Sequence, residues 1–106
     1  MNEQTKLIRT QAQRSIHREH SVPLYLTSSF IFDDAEQGRA VFAGEQEANI
    51  YSRYSNPNTS EFIKKVCEME GAEDGLAFAS GMAAVFASLA GFLRSGDHVI
   101  ACRSVF

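Results

Sequence analysis

The clearest pattern of apolar positions lies in the last third of the chain. Residues 76–79 are apolar without a break, as expected of a short strand buried on both faces. After a Ser-Gly pair, apolar residues recur at spacings of three and four from Met82 onwards, which predicts a helix that Gly96 terminates. Residues 99–102 form a second apolar run. The pattern predicts a β-α-β unit whose two strands lie parallel in one sheet with a right-handed crossover.

Two further helices are predicted earlier in the chain. Each begins after a residue that can accept a hydrogen bond from the first turn, with Gln or Glu three positions later. These pairs are Asp34 with Gln37 and Asn58 with Glu61. A glycine is placed to end each helix, Gly44 for the first and Gly71 for the second.

The N-terminal third divides into two parts of different character. Residues 1–20 are polar throughout and lack the apolar core of a signal peptide. Residues 24–32 are rich in strand-forming residues but follow no clean alternation, so we interpret them as extended chain packed on a larger body. No apolar run approaches the roughly 18 residues of a membrane-spanning helix.

Composition places the 106 residues among ordinary globular chains and permits at most one domain. The net charge is -3 and Lys64-Lys65 is the only adjacent pair of cations, which argues against nucleic acid as the main partner. Cys67 and Cys102 lie in apolar patterns, and we expect both thiols to be reduced and buried in a cytoplasmic protein. The three histidines have no partner at metal-ligand spacing, which argues against a zinc site.

The predicted β-α-β unit requires more structure than 106 residues provide. Strands that are apolar on both faces need neighbouring strands in the sheet and helices above and below it. The sequence supplies two such strands. We therefore expect the N-terminal part of a longer α/β protein, incomplete and poorly stable on its own.

The predicted turn from strand to helix at Ser80-Gly81-Met82 is suited to an anion. The first N–H groups of a helix have no partners within it, and the helix dipole favours negative charge there, so phosphate is the natural ligand. Many such turns bind nothing, and the local pattern leaves both interpretations open. The patterns G-x-x-x-x-G-K-[ST], G-x-G-x-x-G and G-x-S-x-G are all absent, which argues against a P-loop, a dinucleotide site and a nucleophilic serine.

A second candidate for anion binding is the sequence YSRYSNPNT at residues 51–59. In an extended chain, residues two apart point the same way, so Tyr51 and Arg53 would present a phenol and a guanidinium side by side. That pair suits a phosphate group because a guanidinium can bind two of its oxygens at once. A solvated arginine flanked by packing tyrosines is the simpler alternative, and the spacing alone leaves it open.

Together these segments resemble a known family. The sequences SVPLYLTSSFIFDDAEQGRAVFAGE, YSRYSNP, EGAE, ASGMAA and SGDHVIACRSVF are similar, in this order, to the N-terminal part of the pyridoxal-phosphate enzymes of cysteine and methionine metabolism. The resemblance implies a fold-type-I α/β transferase, of which this chain holds the N-terminal arm and the first β-α-β unit. Residues 1–57 would form an arm and short helix that pack on a neighbouring subunit. Residues 58–106 would begin the large cofactor-binding domain.

The resemblance also implies how the cofactor pyridoxal 5'-phosphate is held. Tyr51 and Arg53 match the residues that bind the phosphate of the neighbouring subunit's cofactor. Gly81 and Met82 match residues whose backbone amides hold the phosphate in their own subunit, with Ser80 beside them.

One further residue match concerns the cofactor ring. Phe106 matches the aromatic residue that stacks on the pyridine ring. Tyrosine is commoner there, so the phenolic hydroxyl is absent from this chain. None of the three lysines, Lys6, Lys64 and Lys65, matches the lysine that holds the cofactor covalently. The resemblance therefore implies no catalytic residue in these 106 residues, which should be inactive alone.

Within the family, Phe106 and the sequence REHSVPLYLTSSFIF resemble the O-succinylhomoserine sulfhydrylase branch. That branch implies replacement of the acyl group of O-succinyl- or O-acetylhomoserine by sulfide, giving homocysteine, in a cytoplasmic homotetramer built from catalytic dimers. A cystathionine γ-synthase or a methionine or cystathionine γ-lyase would share the same phosphate site. A non-catalytic α/β phosphate-binding module and a purely structural β-α-β piece are the alternatives from other classes.

Overall fold

The computed structural model describes residues 2–10 and 14–105, and their contacts divide the chain into two compact units. Among its described residues, the first unit, Met1–Leu76, contains α1 (Glu3–Arg9), α2 (Ala35–Phe42) and α3 (Pro57–Glu70). The second unit, Ala77–Phe106, contains α4 (Gly81–Ala90). The predicted domain boundary between residues 57 and 58 stays a prediction.

Helix α1 lies in the polar leader, where the sequence pattern predicts no helix. Its N-cap is Asn2, whose side chain accepts a hydrogen bond from the Gln4 N–H at 3.2 Å. Glu3 in the first turn and Arg9 in the last turn have the charges that the helix dipole favours. The helix packs against α3 within the first unit. Capping and packing, rather than an apolar stripe, account for this helix.

Helix α2 confirms the predicted start and end. The Asp34 carboxylate accepts from the Gln37 N–H at 2.7 Å, and Gly44 follows the last turn with a φ of 73°. The side-chain oxygen of Gln37 accepts from the N–H of Asp33, at 2.6 Å, rather than from that of the N-cap residue. Val41 is buried, and the ring of Phe42 packs edge-on against Phe32.

Helix α3 confirms Gly71 as its end, in the left-handed region with a φ of 65°, but corrects the predicted start. The N-cap is Asn56, not Asn58. Pro57 occupies the first helical position, where its fixed φ suits the helix and its missing N–H costs nothing. Glu61 does not complete a capping box with Asn58. It is buried, and its carboxylate forms an ion pair with Lys65 at 2.7 Å.

Residues 24–32, predicted to be extended chain, are assigned no strand apart from a single bridge position. One antiparallel bridge pairs Ser29 with Tyr51. It is flanked by a hydrogen bond from the Phe30 N–H to the Ile50 carbonyl, at 3.0 Å, and one from the Ser52 N–H to the Ser28 carbonyl, at 2.8 Å. Apolar side chains on this segment stand in solvent, including Ile31, which is 96% exposed.

The second unit differs from the predicted β-α-β unit. Residues 77–79 and 99–102 are not assigned as strands, and no backbone hydrogen bond joins them among the residues described in this unit. A strand is defined by hydrogen bonds to a neighbour, and apolar sequence alone does not supply that neighbour. Helix α4 ends at Gly91 rather than Gly96, which instead lies in a later turn with a φ of 98°.

Most large apolar residues described in the second unit are exposed, although Leu93 is half-buried. On helix α4, Met82 and Phe86 are 69% and 71% exposed.

Cys102 is exposed, which contradicts the expected burial of both thiols, and Cys67 is half-buried. The Ser104 hydroxyl lies 3.0 Å from the Cys102 sulfur, and this hydrogen bond lowers the pKa of that thiol. A buried setting would have raised it.

In the described part of the chain, none of the helices is long and apolar enough to cross a membrane. Over residues 2–10 and 14–105, His, Cys, Asp and Glu side chains form no group of three that could hold a metal ion.

The left-handed end of α3 gives a test of the fold. In the full-length protein, Gly71→Ala should lower the free energy of unfolding by about 1 kcal/mol, because a Cβ is disfavoured at positive φ. Chemical denaturation measures this loss. Gly71→Asn is the matched control and should cost less, since asparagine tolerates this conformation. Equal unfolding midpoints for wild type and Gly71→Ala would contradict the assignment.

Candidate functional site

Tyr51 and Arg53 lie together, but not for the reason that the alternation predicts. The chain leaves the bridge at Tyr51 and turns at once, because the Tyr51 carbonyl accepts from the N–H groups of Tyr54, at 2.8 Å, and Ser55, at 3.1 Å. The extended conformation expected through Arg53 is therefore wrong. The turn, rather than a strand, places the phenol next to the guanidinium.

The guanidinium of Arg53 lies between two tyrosine rings. Its central carbon is 5.3 Å from the centroid of the Tyr51 ring and 5.4 Å from that of the Tyr54 ring, within the range of a cation–π interaction. All three side chains are exposed. Within the described ranges, the structure gives Arg53 no carboxylate partner. The ring faces thus orient the guanidinium, and no carboxylate among the described residues neutralises its charge.

Arg39 provides the contrast within the same unit. Its guanidinium forms ion pairs with Glu36 at 2.8 Å and with Glu45 at 2.7 Å. The hydrogen bonds that Arg39 donates to Glu45 and, to a lesser extent, to Glu36 raise the pKa of Arg39, and the bond to Glu45 lowers the pKa of that carboxyl. Two carboxylates compensate the charge of Arg39 and occupy its N–H donors, whereas Arg53 has no carboxylate partner among the described residues.

The segment that carries Arg53 is fixed by side chains that the sequence analysis did not assign to the site. Asn56 is only 8% exposed, and its amide nitrogen donates to the Tyr25 carbonyl at 3.1 Å and to the Ser52 hydroxyl at 3.0 Å. Asn58 accepts from the Tyr25 N–H at 2.8 Å. In the sequence, Asn56 and Asn58 flank Pro57, and this pattern predicts only the start of a helix.

The start of helix α4 is the second candidate feature. Ser80 is the N-cap, and its hydroxyl oxygen accepts from the Ala83 N–H at 3.2 Å. The N–H groups of Gly81 and Met82 occupy the first two helical positions and have no acceptor within the helix. A Cβ added at Gly81 would meet no heavy atom within 4 Å. The turn therefore has open space beside the Gly81 Cα.

Chemically, each feature can bind an anion by a different means. Arg53 supplies a full positive charge and a fork of N–H donors, with the Tyr51 phenol beside it. The start of α4 supplies backbone N–H groups and the positive end of a helix dipole. The structure brings Tyr51 and Arg53 together in the first unit, and Ser80, Gly81 and Met82 together in the second. Phe106 lies outside the described residues.

Comparison with known proteins gives consistent results. The sequence profile described as "Cys/Met metabolism PLP-dependent enzyme" matches residues 4–106. An O-succinylhomoserine sulfhydrylase of Pseudomonas aeruginosa is 43% identical over 96% of this chain and 25% of its own length. An L-methionine gamma-lyase of Fusobacterium nucleatum is 37% identical over 96% of this chain and 26% of its own length. The chain thus spans about a quarter of the length of these relatives.

A solved structure supports the same relationship. A putative O-acetylhomoserine (thiol)-lyase of Campylobacter jejuni matches 92% of this chain and 24% of its own, with a TM-score of 0.85 and 34% sequence identity. That crystal structure contains N'-pyridoxyl-lysine-5'-monophosphate, which is the cofactor joined to a lysine. The chain belongs to the family of pyridoxal-phosphate-dependent enzymes of cysteine and methionine metabolism.

Proposed function

We propose that this chain is the phosphate-binding N-terminal part of an enzyme that replaces the acyl group of O-succinyl- or O-acetylhomoserine with sulfide, giving homocysteine. The observation that carries the proposal is the Arg53 guanidinium, which lies against two phenol rings without a carboxylate partner among the described residues. Relatives named O-succinylhomoserine sulfhydrylase, 43% and 44% identical, support this reaction.

The residues present fit the cofactor's phosphate, a dianion that needs several donors and at least one cation. Arg53 and the Tyr51 phenol can donate to phosphate oxygens from one side. The backbone N–H groups of Gly81 and Met82 can donate from another, since the first N–H groups of a helix have no acceptor within it. The Ser80 hydroxyl already accepts from its own helix and keeps its proton to donate.

The two features are assigned to different copies of the chain in this proposal. Tyr51 and Arg53 of one subunit bind the phosphate held by Gly81 and Met82 of its neighbour. Phe106 stacks on the pyridine ring. The catalytic unit is then a homodimer, in a cytoplasmic homotetramer that acts on an amino acid. Support comes from the family resemblance and from the exposure of Tyr51 and Arg53.

When bound, the cofactor supplies an electron sink for cleavage of bonds at the substrate amino acid. The residues of this chain bind and orient it, and none of them is assigned a proton-transfer step. Lys65 is paired with the buried carboxylate of Glu61. Lys6, Lys64 and Lys65 match no position of the lysine that binds the cofactor, so this part of the protein should be inactive alone.

A γ-lyase is the second candidate because relatives with that name match nearly as well. The L-methionine gamma-lyase of Pseudomonas putida is 43% identical over 79% of this chain. The phosphate site would be the same in either enzyme. A non-catalytic phosphate-binding module is the candidate from another class, and it would bind phosphate without the visible absorbance of a lysine-bound cofactor.

Removal of the Arg53 charge tests the phosphate assignment. In the full-length protein, Arg53→Ala should weaken pyridoxal-phosphate affinity about ten- to a hundredfold, since a charge-assisted hydrogen bond contributes about 1.5–3 kcal/mol. Titration of the apoenzyme with cofactor measures this affinity. Arg39→Ala is the matched control and should bind normally, because Arg39 is engaged by two carboxylates. Unchanged affinity in Arg53→Ala would refute the assignment.

A hybrid-dimer experiment tests whether Arg53 acts across subunits. Subunits with Arg53→Ala are co-expressed with subunits that lack the cofactor-binding lysine. Each hybrid dimer should regain one working site, built from the intact arm of one subunit and the intact lysine of the other. Activity no higher than that of the two parent variants would show that Arg53 serves its own subunit.

Substrate assays separate the candidate reactions. The full-length protein should form homocysteine from sulfide and O-succinyl- or O-acetylhomoserine, and the ratio of kcat/KM values identifies the preferred acyl group. Release of methanethiol from methionine at a higher kcat/KM would favour the γ-lyase instead. Cofactor binding with neither reaction would favour the non-catalytic module.

A further inference from the structure

Asn56 is a buried polar side chain that uses its whole amide to join separate segments of the first unit. The amide nitrogen donates to the Tyr25 carbonyl, 31 residues away in sequence, and to the Ser52 hydroxyl. The amide oxygen accepts from the Asn58 N–H at 2.9 Å. A buried amide with three partners strongly restricts its neighbours, because losing any partner leaves a desolvated group unpaired.

Ser52 extends this restraint to the residues beside it. Its N–H donates to the Ser28 carbonyl at 2.8 Å, and its hydroxyl donates to the Thr27 carbonyl. Ser52 is thus held by Asn56 on one side and by the extended segment on the other. Because Arg53 follows Ser52 directly, this restraint sets where the backbone of the arginine lies.

Asn58 completes the arrangement on the other side of Pro57. Its amide oxygen accepts from the Tyr25 N–H at 2.8 Å, and its amide nitrogen donates to the Pro23 carbonyl at 2.8 Å. Together, Ser52, Asn56 and Asn58 fix the extended segment 23–28 against the start of α3.

Arg53 itself is exposed, and its contacts are the faces of two tyrosine rings. An arginine side chain loses rotamer entropy when it is immobilised. If its backbone were mobile as well, an anion would have to order both on binding. A backbone that is already fixed removes part of this cost, which is the general basis of preorganised binding.

We propose that Asn56 is a positioning residue for cofactor binding: through its amide nitrogen it holds Ser52, and so presents Arg53 to the phosphate. This inference rests on the proposed role of Arg53. It assigns to Asn56 a function separate from its place at the start of α3. The helix cap uses only the amide oxygen, whereas the contact with Ser52 uses only the amide nitrogen.

This division of the amide allows the two roles to be tested apart. Asn56→Ser keeps a side-chain oxygen that can cap α3 but removes the nitrogen donor. Asp34→Ser is the matched control, because it makes the same kind of cap exchange at α2, and Asp34 shares no hydrogen-bond partner with Asn56. Both variants are made in the full-length protein, and pyridoxal-phosphate affinity and the thermal midpoint are measured on the apoenzymes.

We expect Asn56→Ser to weaken pyridoxal-phosphate affinity about tenfold, a loss the size of one buried hydrogen bond. Asp34→Ser should bind the cofactor normally, whereas the thermal midpoint of Asn56→Ser should fall below that of Asp34→Ser, because the Tyr25 carbonyl also loses its buried donor. Combined with Arg53→Ala, the Asn56→Ser change should add no further loss of affinity, since both changes act on the same contact. Ser52→Ala, which removes the hydroxyl held by Asn56 and leaves the Tyr25 contact in place, should give the same loss of affinity as Asn56→Ser.

The outcomes distinguish this inference from the function on which it rests. Normal affinity in Asn56→Ser and Ser52→Ala, with weakened affinity in Arg53→Ala, would overturn the positioning role and leave the phosphate assignment standing. Additive losses in the double variant would also overturn it, since Asn56 would then act by another route. Normal affinity in Arg53→Ala would overturn both.

Discussion

The hydrogen bonds that Asn56 and Asn58 make on either side of a proline are the constraint on which the first unit depends. An extended segment such as 23–28 has no internal hydrogen bonds, so its backbone groups must be paired by neighbours. The side-chain amides of Asn56 and Asn58, at the start of α3, form hydrogen bonds with these groups, and so does the Ser52 hydroxyl. The proline is compatible with this arrangement because the first position of a helix needs no N–H. A local rule of helix initiation thereby fixes a long-range contact and the position of Arg53 in the chain.

The arrangement of acids determines which arginine can bind an added anion. Arg39 and Arg53 belong to the same unit and both are exposed, so burial does not distinguish them. Glu36 and Glu45 surround the first, whereas tyrosine rings surround the second. A ring face attracts the cation but leaves its N–H edge free, whereas a carboxylate occupies that edge. Aromatic flanks therefore orient a guanidinium without neutralising it, which is the property that a phosphate ligand requires.

The sequence predicted those features that depend on residues close together in the chain. The cap at Asp34 and the ends at Gly44 and Gly71 follow from local backbone chemistry, and all three are confirmed. Features that depend on distant partners were wrong. The predicted cap at Asn58 is wrong because the Asn58 side chain forms hydrogen bonds with the backbone of residues 23–25. No local sequence pattern indicates this contact.

The site residues show the same division. Tyr51 and Arg53 were correctly predicted to be neighbours, but a turn rather than an extended strand brings them together. Their role toward the phosphate came from family resemblance and stays a prediction. In the proposed site, the amides of Gly81 and Met82 supply direction and partial charge, and the arm of the other subunit supplies the full charge. If two copies share one phosphate in this way, cofactor binding and subunit association must strengthen each other by the same factor, because each completes the site that the other needs.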